Sequence, residues 1–226
     1  MNKNKKLSST AGLLLGALAL VGGVQNATAA PGAIFSATGA TINSGGPGSG
    51  SIADTFDQSG LSASYVSDVT GFDAFVATTT HTTTFGGFEW FSNFGSVAAS
   101  VTYDLGSVRS FDRLALWNEE SSGAGSLLDL WTSLDDTTYT PLASLNPTVN
   151  PAANYLAEVF SLGATTRYVR FDMSGCPNGS GTYAACAIGE VAFRSAEGAQ
   201  IPEPTMLGLL GLGLVGLVGS RRRKTA

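Results

Sequence analysis

Two apolar segments, each with its cations on the outer flank, bracket this chain and set the polarity of everything between them. Lys3, Lys5 and Lys6 precede the run from Leu13 to Val24, which closes on the small residues Ala27-Thr28-Ala29-Ala30. A basic start held on the cytoplasmic side, a short apolar helix and small residues at its end form the pattern of a secretory signal peptide over 1–29. Cleavage is expected after Ala29 or Ala30.

The far end repeats this in reverse. Thr205 to Gly219 is apolar and is followed by Arg221-Arg222-Arg223-Lys224. At a rise of ~1.5 Å per residue the stretch is shorter than the ~20 residues of a comfortable membrane span. Arginine side chains can snorkel to close that gap. Because basic flanks stay cytoplasmic, the residues before this helix are expected outside. Glycines at 208, 211, 213, 216 and 219 weaken the helix, which suits a temporary anchor.

Between Pro31 and Gln200 only five arginines face sixteen acidic residues, a formal charge of −11. Such a surface repels phosphate backbones and argues against nucleic acid as a partner. The roughly 170 residues of this span fit one domain over 30–200 with its own core. Few charges, much Ser, Thr and Gly, and frequent aromatic residues and valine favour β structure.

No long part of that span has helical periodicity, whereas short alternating runs recur between turn clusters, so the expected class is all-β. Expected strands are Ala33 to Ala37, Ser62 to Val66, Val97 to Tyr103, Phe111 to Trp117, Leu127 to Ser133, Thr138 to Leu142, Leu156 to Phe160, Arg167 to Asp172 and Ile188 to Arg194. Phe111 to Trp117 carries apolar residues on both faces, with Phe111, Ala115 and Trp117 on one and Leu114 and Leu116 on the other. That is the pattern of a strand near a sheet centre. Asp104-Leu105-Gly106 reads as a strand end with a turn, and Ser133-Leu134-Asp135-Asp136 as a hairpin turn. Cys176 and Cys186 are the only cysteines, and in an oxidising compartment they are expected to pair.

Ile201-Pro202-Glu203-Pro204, the Gly/Leu-rich span and the arginine cluster together resemble the PEP-CTERM sorting tail, over 201–226. The resemblance implies a sorting motif made of Pro202, Glu203, Pro204, Arg221, Arg222 and Arg223. It also implies processing by an exosortase after signal peptidase, in a Gram-negative bacterium that makes exopolysaccharide. The expected route is an inner-membrane intermediate, then the cell surface or matrix.

A second resemblance runs over 87–194. Glu89-Trp90-Phe91-Ser92, Val101 to Gly106, Phe111 to Asn118, Ser133 to Asp136, Arg167 to Phe171 and Ile188 to Val191 follow the order of landmarks in galactose-binding-like domains. These include discoidin or coagulation-factor type C domains and many carbohydrate-binding modules. The resemblance implies a jelly-roll β-sandwich of about eight strands. It also implies a structural calcium near a late Glu, here Glu190, with Glu89 or Asp73 from the loop side. The usual Asp-Gly before the Trp landmark is replaced by Phe85-Gly86-Gly87-Phe88. A Glu190 that caps backbone amides is the competing reading.

For chemistry the residues offer little. His81 is the one histidine and lies in a Thr-rich stretch, where a solvated loop residue is the expectation. Histidine-based nucleophilic catalysis or a histidine-built zinc site would have to rest on it alone. Glu119-Glu120 is the most suggestive acidic pair for glycoside hydrolysis, with an exposed acidic turn as the plainer reading. Sugar recognition needs an apolar platform beside polar groups, which Trp90, Phe91, Trp117, Asn118 and Glu119 can supply. The same tryptophans can equally be core. The reading that unites these features is an exported, non-catalytic module for extracellular polysaccharide. A structural matrix protein and a glycan hydrolase stand as alternatives.

Overall fold

The computed structural model describes residues 30, 32–82, 87–118, 127–148, 154–176 and 184–196. The leader expected at 1–29 and the tail at 201–226 therefore lie outside the described residues. Among those described, no helix is long and apolar enough to cross a membrane.

The chain is all-β. Its strands are β1 (Ile34–Phe35), β2 (Gly39–Ser44), β3 (Ser49–Gly50), β4 (Thr80–His81), β5 (Trp90–Phe91), β6 (Ala98–Trp117), β7 (Leu127–Ser133), β8 (Thr140–Leu145), β9 (Tyr155–Leu156), β10 (Glu158–Ser174), β11 (Ala187–Ile188) and β12 (Glu190–Ser195). A 3-10 turn, Ile52–Thr55, and one short helix, α1 (Phe72–Val76), complete the described elements.

Two long strands organise the architecture. β6 and β10 pair antiparallel from Glu158 opposite Leu116 to Ser174 opposite Ala98. β6 changes its other neighbour halfway along, and β10 gains one only in its C-terminal half. The C-terminal half of β6 lies beside β12, which is itself flanked by β1, whereas its N-terminal half lies beside β2. The C-terminal half of β10 pairs with β7, and β7 with β8. One continuous ribbon thus feeds two layers, the two halves of a β-sandwich. Phe35, Leu114, Leu116, Val191 and Phe193 from one half meet Val101, Tyr103, Leu130, Val169 and Phe171 from the other in a single buried cluster. Ring pairs stiffen each half of that core, with Phe111 5.0 Å from Phe193 in the first and Tyr103 5.1 Å from Phe171 in the second.

A three-stranded sheet, β11-β5-β3, adds Trp90 and Ile188 to the same core. On the outer side of the first half, Ile34, Ala115, Trp117 and Ala192 form a second apolar cluster under Tyr65, Tyr155 and α1. A five-residue helix has no stability of its own. It persists here because Phe72, Phe75 and Val76 are buried against that sheet. Cys176 and Cys186 form a disulfide.

Several expected elements come out differently. The strands expected at Val97 to Tyr103 and Phe111 to Trp117 are one strand, because β10 runs alongside both. Gly106 does take a positive φ of 80°, with its amide on the Asp104 carboxylate, but within a bulge rather than a strand end. Phe111 turns to the same side as Leu114 and Leu116, because an irregularity at Asp112 reverses the alternation. Ser62 to Val66 is not a strand, and only Leu61 bridges, to His81. The β7–β8 turn forms at Ser133 to Asp136, where the Asp135 carboxylate accepts the Thr137 and Thr138 amides.

Candidate functional site

The tryptophans proposed as a sugar platform are core residues. Trp90 and Trp117 are both 0 % exposed, and their indole N–H groups donate to the Pro47 carbonyl at 2.9 Å and the Thr79 carbonyl at 3.0 Å. Each therefore has both its ring and its one polar atom satisfied inside the protein, which leaves no face for a ligand. Asn118 is buried too, and its side-chain amide donates to the Thr148 carbonyl at 3.2 Å. Phe91 is half-buried, its backbone held between Ser49 and Ala187. Glu119 lies outside the described residues.

The carboxylates suggested for calcium do not converge. Asp73 is mostly exposed on α1 and pairs with Arg113 at 2.6 Å and with Arg194 at 3.9 Å. Arg194 is four residues along β12 from Glu190, a separation of roughly 13 Å in an extended strand. Glu89 turns toward His81, with a carboxylate oxygen 3.8 Å from Nδ1. Among the described residues no three His, Cys, Asp or Glu side chains are grouped to hold a metal ion. Glu190, Glu89 and Asp73 therefore do not form one such group.

Glu190 instead does what the competing reading described. Its carboxylate is wholly buried and accepts the Gln58 backbone amide at 3.2 and 3.3 Å. Burial pushes its pKa well above the usual carboxylate range, the Gln58 amide opposes this, and Asp57 and Asp54 nearby push it further up. The same loss of solvent raises the Tyr65 and Tyr103 hydroxyls, with Glu190 adding to both shifts.

His81 is likewise not a solvated loop residue. It is 0 % exposed, its ring is stacked on Tyr155 at 5.6 Å, and Nδ1 lies 3.1 Å from the Thr82 carbonyl and 3.2 Å from the Tyr155 hydroxyl. The carbonyl places the proton on Nδ1. Burial lowers the His81 pKa against the opposing pull of the Thr82 and Ser59 backbone, so the ring is neutral at neutral pH. Nε2 packs toward Gly60, where a Cβ would come within 2.8 Å of it. A general base needs access to a substrate proton, which this ring lacks.

Solvent meets a different cluster, on the outer face of the second half. Side chains there alternate with the core residues Val101, Tyr103, Val169 and Phe171. Trp131 on β7 and Arg170 on β10 are direct cross-strand partners, and the Arg170 guanidinium lies 5.3 Å from the Trp131 ring centroid. Tyr139, from the turn before β8, sits over the same guanidinium at 4.3 Å. Its hydroxyl bonds the Asp136 carboxylate and approaches Thr102 Oγ1 at 3.5 Å. Asp172 pairs with Arg170 at 3.1 Å and accepts Ser100 Oγ at 2.6 Å. Asn43 donates to Thr102 at 2.8 Å and Ser100 at 3.1 Å, while Ser144 donates to Asp129 at 2.5 Å.

Sequence reasoning passed over Tyr139 and Arg170. The available signal was the hairpin itself, whose turn at 133–136 brings the residues around 139–141 back beside Trp131.

Residues 200–224 match the PEP-CTERM protein-sorting motif. The chain thus carries the mark of an exported protein sorted to the cell envelope. Among solved structures it is similar to the CBM32 of AlyQ in complex with 4,5-unsaturated mannuronic acid, at 19 % identity and a TM-score of 0.43, over 71 % of this chain and 96 % of that one. It is also similar to chitosan-binding module 1 of a chitosanase/glucanase from Paenibacillus sp. IK-5, at 18 % identity and a TM-score of 0.43, over 70 % and 95 %. A third is CBM32-3 of a family 31 glycoside hydrolase from Clostridium perfringens, at 19 % identity and a TM-score of 0.38, over 47 % and 74 %. No curated protein matches the chain significantly.

Proposed function

We propose that this chain is a non-catalytic β-sandwich which contacts extracellular polysaccharide at the surface or in the matrix of a Gram-negative cell. Signal peptidase removes 1–29, the apolar helix within 201–226 holds an inner-membrane intermediate, and an exosortase acts at Pro202-Glu203-Pro204. The domain over 30–200 is then the functional part. The observation that carries this reading is the sorting motif at 200–224 attached to an acidic, hydroxyl-rich all-β domain. Its single histidine is sealed in the interior, which supports a binding role over a catalytic one.

The test is a pull-down of the full chain with the host's own exopolysaccharide, beside mass spectrometry of the protein from cells and medium. Co-sedimentation of a form lacking both ends is the expected result. A full-length chain in the cytosol, or no association with the polymer, would overturn the reading.

One observation favours a second reading, a matrix component that binds no sugar: Trp90 and Trp117 are structural rather than exposed. That reading predicts normal matrix assembly without any measurable affinity for glycan.

A further inference from the structure

We propose that the outer face around Trp131, Arg170 and Tyr139 is the glycan-binding surface, and that its ligand is an uncharged polysaccharide. This inference rests on the polysaccharide-binding reading above and gives it a place and a ligand class.

The chemistry of a sugar ring is two-sided, with a C–H face that packs on an aromatic ring and hydroxyls at the rim that need paired donors and acceptors. Both are present together on this face. Tyr139 is half-buried, with the Arg170 guanidinium against its ring and its hydroxyl bonded to Asp136. The ring is therefore held flat and rigid, which lowers the entropy lost when a ligand stacks on it. Trp131 beside it is also half-buried, unlike the two core tryptophans.

Around the two rings the polar groups come in donor and acceptor pairs. Arg170 with Asp172, Asn43 with Ser100, and Ser144 with Asp129 lie on five adjacent strands, β2, β6, β10, β7 and β8. Four strand spacings of ~4.8 Å give a width of about 19 Å, room for a chain of rings rather than a single one. A guanidinium beside a carboxylate matches a vicinal diol, which offers both an acceptor and a donor. One Arg170 nitrogen pairs with Asp172 at 3.1 Å, and the guanidinium fork carries further N–H donors.

Charge selects the ligand class. Asp129, Asp136 and Asp172 outnumber Arg170 on this face, and the span 31–200 carries −11 overall. A polyuronate would meet repulsion here, whereas an uncharged polymer would not.

The experiment is affinity electrophoresis of the full chain in mild detergent through gels containing dextran, galactan, mannan or polygalacturonate. Wild-type protein, Tyr139→Ala, Tyr139→Phe and Arg170→Gln are compared, with melting temperature as a folding check. Retardation by at least one neutral polymer is expected, with a tenfold or greater weakening in Tyr139→Ala and Arg170→Gln and retention in Tyr139→Phe. In a second measurement on the unmutated chain, N-bromosuccinimide oxidises Trp131 ahead of Trp90 and Trp117, and the bound polymer protects it. Retardation that survives in both weakened variants, or a Trp131 that the polymer leaves unprotected, overturns the site while the polysaccharide reading stands. Stronger retardation by polygalacturonate than by every neutral polymer overturns the ligand class. Wild-type protein retarded by none of the four and not sedimenting with the host polymer overturns both.

Discussion

The Glu190 carboxylate is bound to the backbone amide of Gln58 across 132 residues of sequence, at 3.2 Å, with no solvent around it. This bond ties the loop after the 3-10 turn to the start of β12, and it sets how stability responds to pH.

Burial raises the Glu190 pKa in the folded protein above its value of ~4.3 in an unfolded chain. The folded state therefore holds the proton more tightly, and stability is fully present below pH ~4.3 and falls as pH rises through the folded pKa. Glu190→Gln removes the ionisation while keeping an acceptor for the Gln58 amide. Thermal melting from pH 4 to 8 is expected to show a higher melting temperature than wild type at pH 7 to 8, with the difference vanishing at pH 4. A lower melting temperature at pH 8 would contradict this account of the carboxylate.

Trp90→Ala and Trp117→Ala each remove a fully enclosed indole. Each is expected to cost about 3 to 5 kcal/mol in denaturant titration, the range for large aromatic truncations in a core. The milder Trp90→Phe and Trp117→Phe lose the N–H donors to Pro47 and Thr79 and should cost less. Unchanged stability in the alanine variants would contradict the placement of these rings in the core.

Breaking the Cys176–Cys186 disulfide by replacing both residues with alanine releases a ten-residue separation in sequence. Chain entropy predicts a loss of about 2 to 3 kcal/mol. Since both cysteines are buried, the loss is accompanied by weaker packing at Met173, near the end of β10, and at Cys176 just beyond it. Equal unfolding midpoints with and without reductant would refute this.

Gly48 and Gly95 separate backbone strain from steric contact. Both have positive φ, 78° and 84°, but a Cβ on Gly48 would sit 1.8 Å from the Phe91 carbonyl oxygen, whereas nothing lies within 4 Å at Gly95. Gly95→Ala is expected to cost only the ~1 to 2 kcal/mol of a left-handed side-chain residue. Gly48→Ala must also push β3 from β5 and should be clearly more destabilising. Equal midpoints for the two variants would refute the close approach.

What could be read from sequence depended on how local the governing interactions were. Leu127 to Ser133 was legible to the residue, because alternation and the following Asp-rich turn both lie within the segment. The union of two expected strands into β6 was not, because it depends on pairing with β10, whose partners run from Glu158 opposite Leu116 to Ser174 opposite Ala98. Trp90 and Trp117 carried the same ambiguity, since composition cannot say which side of a strand meets a second layer. His81 was misjudged because its neighbours in sequence are threonines, while its partners in space are Tyr155 and Glu89. The hairpin turn pointed to Tyr139, but nothing local pointed to Arg170, for their juxtaposition exists only once β7, β8 and β10 are side by side.

The first and last strands of the domain are neighbours: β1 pairs with β12, and the Gly32 amide meets the Ser195 carbonyl at 2.9 Å. Entry and exit share one corner. There β12 is clasped by a ladder on each side, while the β7–β8 hairpin lies at the opposite rim of the sheet order. A pull applied at that corner would reach β12 and its two ladders before it reached the hairpin.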